Sequence, residues 1–220
     1  MEYSVPIVVY ICPLFLGLTT AFLAVTSDFN RQGIKGLGKI LLYYVTLPAA
    51  VVVFFAGIGL SVMPVRLHSD NFALSFAGLA GLGVFLWGWL ALAAGVSCLL
   101  VRLGLNKQVS YISVSLLILL TNTTVFYINP FISAWQGDLI ARQWVIKAGV
   151  AVNPMLVLAG NFFGHDLLRA REMYGICDIG PYYYYSYPDW LAVWMYYLGA
   201  GLLAFVLAAI IRKGGANQAN

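Results

Sequence analysis

The chain has 220 residues, 62% apolar and only 9% charged, whereas soluble domains carry about a quarter charged residues, so a soluble globular protein is excluded. Its net charge of +4 comes from twelve basic residues against eight acidic ones. The basic residues stand singly or in pairs at the ends of apolar runs, which marks membrane topology and leaves no basic patch for nucleic acid.

In chain order, the first apolar run, Val5 to Val25, is long enough to cross about 30 Å of hydrocarbon. Pro13 lies inside it and predicts a local kink. Glu2 and the absence of a basic leader predict that this run is retained as a span, not removed as a signal peptide. Thr26 to Lys39 reads as a basic connection. A second span follows over Ile40 to Met63, with a kink at Pro48. The third, Phe72 to Val101, carries two small-xxx-small pairs, Ala77/Gly81 and Ala91/Gly95, which let helices approach closely. Arg102 to Gln108 is a short basic connection. The fourth span is read as Val109 to Ile128, with the polar run Thr121 to Thr124 near its far end as inter-helix hydrogen-bonding groups. The last span, Leu191 to Ile211, has a small-residue face at Ala200, Ala204 and Ala208.

Five spans give a consistent charge pattern. With the N-terminus outside, the inner connections Thr26–Lys39 and Arg102–Gln108 and the tail after Ile211 hold seven basic residues and one acid. The outer connection Pro64–Asn71 is neutral. A sixth span over 145–163 would break this pattern. The predicted fold is therefore an all-α integral membrane protein of about five transmembrane helices. It forms a single transmembrane domain over residues 1–220, with residues 129–190 as an outer cap. The expected location is a bacterial cytoplasmic membrane, N-terminus outside and C-terminus inside.

The cap carries most of the sequence's chemistry. Asn153-Pro154 predicts a helix start, because asparagine caps free N–H groups and proline at the first helical position leaves no donor unsatisfied. That helix is expected to end near Gly160, with Asn161 capping a second, amphipathic helix to about Tyr174. The two would form a re-entrant or interfacial hairpin before the last span. His165 and Asp166 are adjacent, so on a helix they diverge by about 100° and do not chelate one ion. Pairing of Asp166 or Glu172 with Arg169 is the plainer reading. Tyr182, Tyr183, Tyr184, Tyr185 and Tyr187, with Trp190, read as an aromatic belt ahead of the span. The same rings would also suit a partner or ligand face. No residue is assigned as catalytic or cofactor-binding, and no cofactor is expected. No ionisable side chain falls well inside a span, which disfavours ion-coupled transport.

The segment VNPMLVLAGNFFGHDLLRAREMY and a last span ending in IIRK resemble the C-terminal part of the membrane subunits of ABC-2-type exporters, over residues 150–213. Asn153, Pro154 and Arg169 match by position. The resemblance implies a pair of short helices dipping into the outer leaflet. It also implies a separate ATPase chain as partner, since no GxxxxGK[ST] sequence is present. Two departures are a count of five spans, where that family has six, and no amphipathic helix before the first.

Three functions remain open on the sequence. The leading one is a non-catalytic subunit of a larger membrane complex, whose partners are other membrane subunits and lipids. Its docking surfaces would be the small-residue faces and the tyrosine-rich cap, with Asn153, Pro154, His165, Asp166 and Arg169 as candidate interface or gating residues. The others are an exporter permease and a membrane redox or metal enzyme using His68, His165 and outer carboxylates.

Overall fold

The computed structural model describes residues 4–27, 33–62, 76–135, 137–162, 166–169, 176–179, 183 and 185–211, with side chains at these positions except 4–12, 33–34, 55–62 and 76–77. Every described element is helical: α1 Ser4–Thr26, α2 Gly33–Ile40, α3 Leu47–Val62, α4 Phe76–Arg102, α5 Lys107–Asn122, α6 Thr124–Ala134, α7 Leu139–Val152, α8 Pro154–Phe162 and α9 Trp190–Ile210. The chain is an all-α, multi-pass membrane protein.

α2 and α3 form one rod, joined by a π-helical stretch over Leu41–Thr46. Pro48 explains the irregularity, since it has no N–H to offer the Tyr44 carbonyl four residues back and its ring crowds that oxygen. The hydroxyl of Thr20 on α1 donates to the Tyr44 carbonyl at 3.1 Å. Indole Nε1 of Trp87 on α4 donates to Thr46 Oγ1 at 3.0 Å. The kink expected at Pro48 thus becomes a widened turn tied to two neighbours. The helix also starts at Gly33, so Lys35 and Lys39 lie on it and not in a loop.

α4 and α9 make the most extensive helix pair. Ala91 and Gly95 of α4 face Gly201 and Ala204 of α9, and a Cβ at Gly201 would lie 2.7 Å from the Ala91 carbonyl carbon. Without a hydrophobic drive in lipid, such backbone approach supplies the van der Waals contact that holds membrane helices together. The α9 face is Val193, Tyr197, Gly201, Ala204 and Ala208, all buried. Ala200, expected on that face, is exposed, because the helical period puts Gly201 there.

The register of contacts sets direction. Gly81 meets Trp190, Gly88 meets Trp194 and Gly95 meets Ala204, so α4 and α9 run parallel. Val53 opposite Gly83 and Thr46 opposite Trp87 make α3 antiparallel to α4. The Phe22–Tyr111 ring contact and the bond from Lys107 Nζ to the Thr26 carbonyl make α1 antiparallel to α5. Indole Nε1 of Trp89 reaches the Pro13 carbonyl at 3.2 Å, beside Gly17, where any side chain would meet the same nitrogen. Hence α1, α4 and α9 point one way, α3 and α5 the other. The main core, with Phe85, Leu86, Trp89, Leu90 and Ile118, lies between them. The stretch between α5 and α9 therefore makes no net crossing. Lys35, Lys39, Arg102 and Lys107 gather at one end of the bundle, the end where α4 finishes and α5 begins.

The α4–α5 turn is closed by Gly104, at φ 91°, a left-handed conformation that glycine adopts without a Cβ penalty. Gly104 N–H donates to the Val101 carbonyl and Leu105 N–H to the Leu100 carbonyl, both at 3.2 Å, which closes the helix as a Schellman turn. Asn106 then caps α5 by accepting from Gln108 N–H at 3.0 Å.

Candidate functional site

The span expected over Val109–Ile128 stops at Asn122, and the chain turns by 69° into α6. The polar run explains this. Thr121 and Thr123 donate to the Leu117 and Leu119 carbonyls, and Asn122 Nδ2 donates to the Ile118 carbonyl at 2.8 Å. Side chains that bond back to the preceding turn compete with the helical ladder. Only Thr124 reaches another helix, donating to the Gly149 carbonyl at 3.2 Å. These side chains were expected to join helices, and most of them break one instead.

A second break lies beside the first. α7 and α8 meet at 83° at Asn153, whose backbone is extended (φ −93°, ψ 104°). Pro154 disfavours helical geometry for the residue before it. Asn153 Oδ1 accepts from Met155 N–H at 3.0 Å and Leu156 N–H at 3.2 Å, capping α8 as its sequence predicts. Its Nδ2 donates to the Asn122 carbonyl and to Thr124 Oγ1, both at 3.0 Å. One buried amide thus holds both breaks together. The last carbonyls of α7, Ala151 and Val152, accept from the Tyr197 hydroxyl at 3.2 and 3.1 Å. Tyr197 packs on Trp89 and Phe85 at ring distances of 5.1 and 5.8 Å. Asn122 Oδ1 is buried without a hydrogen-bond partner among the described residues.

Seven residues of α9 separate Trp190 from Tyr197, about 10 Å along the axis, so the junction sits that far inside the bundle. From it α8 returns towards the start of α4 and α9. The Phe162 ring packs at a tilt against Trp190, centroids 5.3 Å apart, and covers Gly81. Six of the nine residues of α8, Pro154, Leu156, Val157, Leu158, Ala159 and Phe162, are buried apolar side chains. The hairpin is re-entrant, with its tip at Asn153.

The segment after α8 departs from expectation. Asn161 is inside α8 and donates to the Val157 and Pro188 carbonyls at 3.1 and 3.0 Å, so it starts no second helix. Of the helix expected to Tyr174, the described part is a single 3-10 turn, Leu167–Arg169. Instead the chain folds back over α6 and α7 around a second core containing Ile128, Ile146, Val150, Leu168, Cys177 and Ile179. Asn129 clamps it, donating to the Ile176 carbonyl at 3.1 Å and accepting from Asp178 N–H at 3.0 Å.

Asp166 gathers the tyrosines. Its Oδ1 accepts from the Tyr185 hydroxyl and from the Tyr187 hydroxyl at 2.8 Å, and its Oδ2 lies 3.6 Å from Arg169 Nε. The Arg169 guanidinium sits 5.6 Å from the centre of the Tyr185 ring, and the Tyr187 ring lies against Gly160 of α8. Burial, then the bonds to Asp166, push both phenols above their ordinary range. Tyr183 lies under the Arg142 guanidinium at 5.0 Å. Of the candidate residues, the structure joins Asp166, Arg169, Tyr185 and Tyr187 in one latch over α8, with Asn153 and Pro154 at its far end. Trp190 closes the α8–α9 corner. Tyr183, Tyr185, Tyr187 and Trp190 all turn inward. His165, Tyr182 and Tyr184, like His68 and Glu172, lie outside the described residues.

Sequence reasoning missed α6, α7, Tyr197 and Asn129. Asp138, which accepts from Ile140 and Ala141 N–H at 2.9 and 3.0 Å, was a readable cap for α7. Tyr197 had no local signal. Among the described residues, no group of three or more histidines, cysteines or acids is placed to hold a metal. Compared with protein-family models, curated proteins and solved structures, the chain matches none.

Proposed function

We propose that this chain is the permease-type membrane subunit of a larger assembly. Its re-entrant α7–α8 hairpin, hinged at Asn153 and latched by Asp166, acts as the gate on a path along the bundle. The observation that carries this reading is the junction of two broken helices about 10 Å inside the bundle. Broken helices place backbone carbonyls and helix N-termini at membrane depth, and transporters use them at their working sites. This junction is closed by a few side-chain hydrogen bonds, each worth about 0.5–1.5 kcal/mol. The energy source and the rest of the path belong to other chains, with a separate ATPase as the expected partner. The basic end faces the cytoplasm and the cap faces outward, in keeping with the excess of lysine and arginine near Thr26–Lys39 and Arg102–Gln108.

The complex-subunit reading rested on small-residue faces and a tyrosine-rich docking surface. In the fold Ala91, Gly95, Gly201 and Ala204 are spent on the α4–α9 contact, and the described cap tyrosines face Asp166 and Arg142. That moves the weight to the gate. Co-expression with candidate ATPase chains, followed by purification in mild detergent, tests it. A stable complex whose transport falls when Asp166→Asn loosens the latch is expected. A chain found only as a free monomer would sink the proposal.

A further inference from the structure

Among the described residues of the cap, the most exposed apolar side chains lie at the tip of the α6–α7 hairpin. Ile140 is 74% exposed, Trp144 69% and Leu139 66%, with Trp135 and Phe131 beside them. This patch continues the outward stripe of α5, formed by Ile112, Leu116, Leu120 and then Phe126, all exposed. α5 is part of the bundle that crosses the membrane, so that stripe faces hydrocarbon, and Phe126 and Phe131 carry exposed apolar side chains along α6 towards the tip.

The height of the tip follows from helix geometry. The 16 residues of α5 rise about 24 Å, and the 11 residues of α6, tilted by 69°, add about 6 Å more. The sum, about 30 Å, is the thickness of the hydrocarbon layer. The hairpin therefore projects about 15 Å sideways from the end of α5 at the level where acyl chains give way to headgroups. Two indoles stand at that level, the position tryptophan favours in membranes. The one carboxylate at the tip, Asp138, is turned onto the first N–H groups of α7. Lys147 is exposed one turn beyond Trp144, where its stem can lie along apolar surface while the ammonium reaches phosphate.

We infer that Trp135, Leu139, Ile140 and Trp144 form a lipid anchor, seated in the interface of the leaflet opposite the basic end. Its occupant is bilayer lipid and not a protein partner or a second copy. The described rings of the tyrosine run, Tyr183, Tyr185 and Tyr187, are half-buried, whereas the two tip indoles are exposed. The anchor fixes the height of α6 and α7 and, through Asn153, the height of the junction.

The test is tryptophan fluorescence of the full chain in phosphatidylcholine vesicles, using lipids brominated near the glycerol or near the chain end. The Trp135→Phe/Trp144→Phe variant is subtracted to isolate the two tip indoles. Their emission should be quenched about twofold more by the shallow bromines than by the deep ones, as for rings held at the interface, and little by aqueous iodide. Strong quenching by iodide, or insensitivity to both bromolipids, would overturn the anchor. Should the double variant fail to fold, a nitroxide on Ile140→Cys reads the same position. Greater collision with oxygen than with a water-soluble nickel chelate is expected, and the reverse, or shielding from both, refutes the proposal.

Discussion

Replacing Asn153 by serine and by alanine separates the two jobs of its side chain. Alanine removes the cap on Met155 and Leu156 N–H, at a cost of about 1 kcal/mol. It also removes the donor to the Asn122 carbonyl, and an orphaned buried acceptor costs about 1–3 kcal/mol. Serine keeps capping power but is too short to span to Asn122, so only the second loss applies. The expected order is wild type, then Asn153→Ser, then Asn153→Ala, the last down by about 2–4 kcal/mol. For a chain of this size that is a fall of roughly 5–15 °C in melting temperature. Heating the protein in a Cys12→Ser background, in mild detergent with a thiol-reactive fluorophore, reads it, because the two remaining cysteines, Cys98 and Cys177, are both buried. They sit in different cores, so mapping the labelled cysteine shows which opens first. In the variants Cys177 should react at a lower temperature than Cys98. Wild-type melting of Asn153→Ala, or simultaneous labelling of both cysteines, would refute the view that Asn153 ties the cap to the bundle.

Four further outcomes are expected. Gly201→Ala places a methyl against the Ala91 backbone and should cost about 1–3 kcal/mol in the same melt. Gly199→Ala, with nothing within 4 Å, should be neutral or slightly stabilising. Tyr197→Phe strips the hydroxyl donor from the Ala151 and Val152 carbonyls and should lower stability by about 1–3 kcal/mol. The phenols of Tyr185 and Tyr187 are raised above their ordinary range, so they keep their protons in the folded state after the unfolded chain has lost them. The folded state then binds more protons above about pH 10, and stability falls as pH rises beyond that point. Near-ultraviolet circular dichroism should show a flatter decline for the Tyr185→Phe/Tyr187→Phe variant, and an unchanged slope would contradict the latch.

Where structure follows from neighbours in sequence, it was legible. Apolar run length gave the long helices α2–α3, α4 and α9, and Asn153-Pro154 gave the start of α8 by a local rule. The Ala91/Gly95 pair announced close packing, though not its partner. α7 was hidden because Arg142 and Lys147 interrupt its apolar run, which makes the helix read as a loop. The break at Thr123 was visible as polarity but read as glue between helices, since a hydroxyl can bond across or backward and spacing does not decide which. The inward turn of Tyr185 and Tyr187 depends on Asp166, about twenty residues away, and on Gly160 leaving room for a ring. Such long-range contacts have no periodic signature.

The central claim is that α7 and α8 enter the bundle and leave by the same face, so that α9 starts on the side of the hairpin tip. Single cysteines at three exposed positions, Gly137→Cys at the tip, Ser186→Cys before α9 and Gln108→Cys at the basic end, test it with an impermeant thiol reagent on sealed vesicles of known orientation. The account predicts that Gly137→Cys and Ser186→Cys label from one side and Gln108→Cys only from the other. Labelling of Gly137→Cys and Ser186→Cys from opposite sides would make α7–α8 a crossing and contradict the re-entrant hairpin.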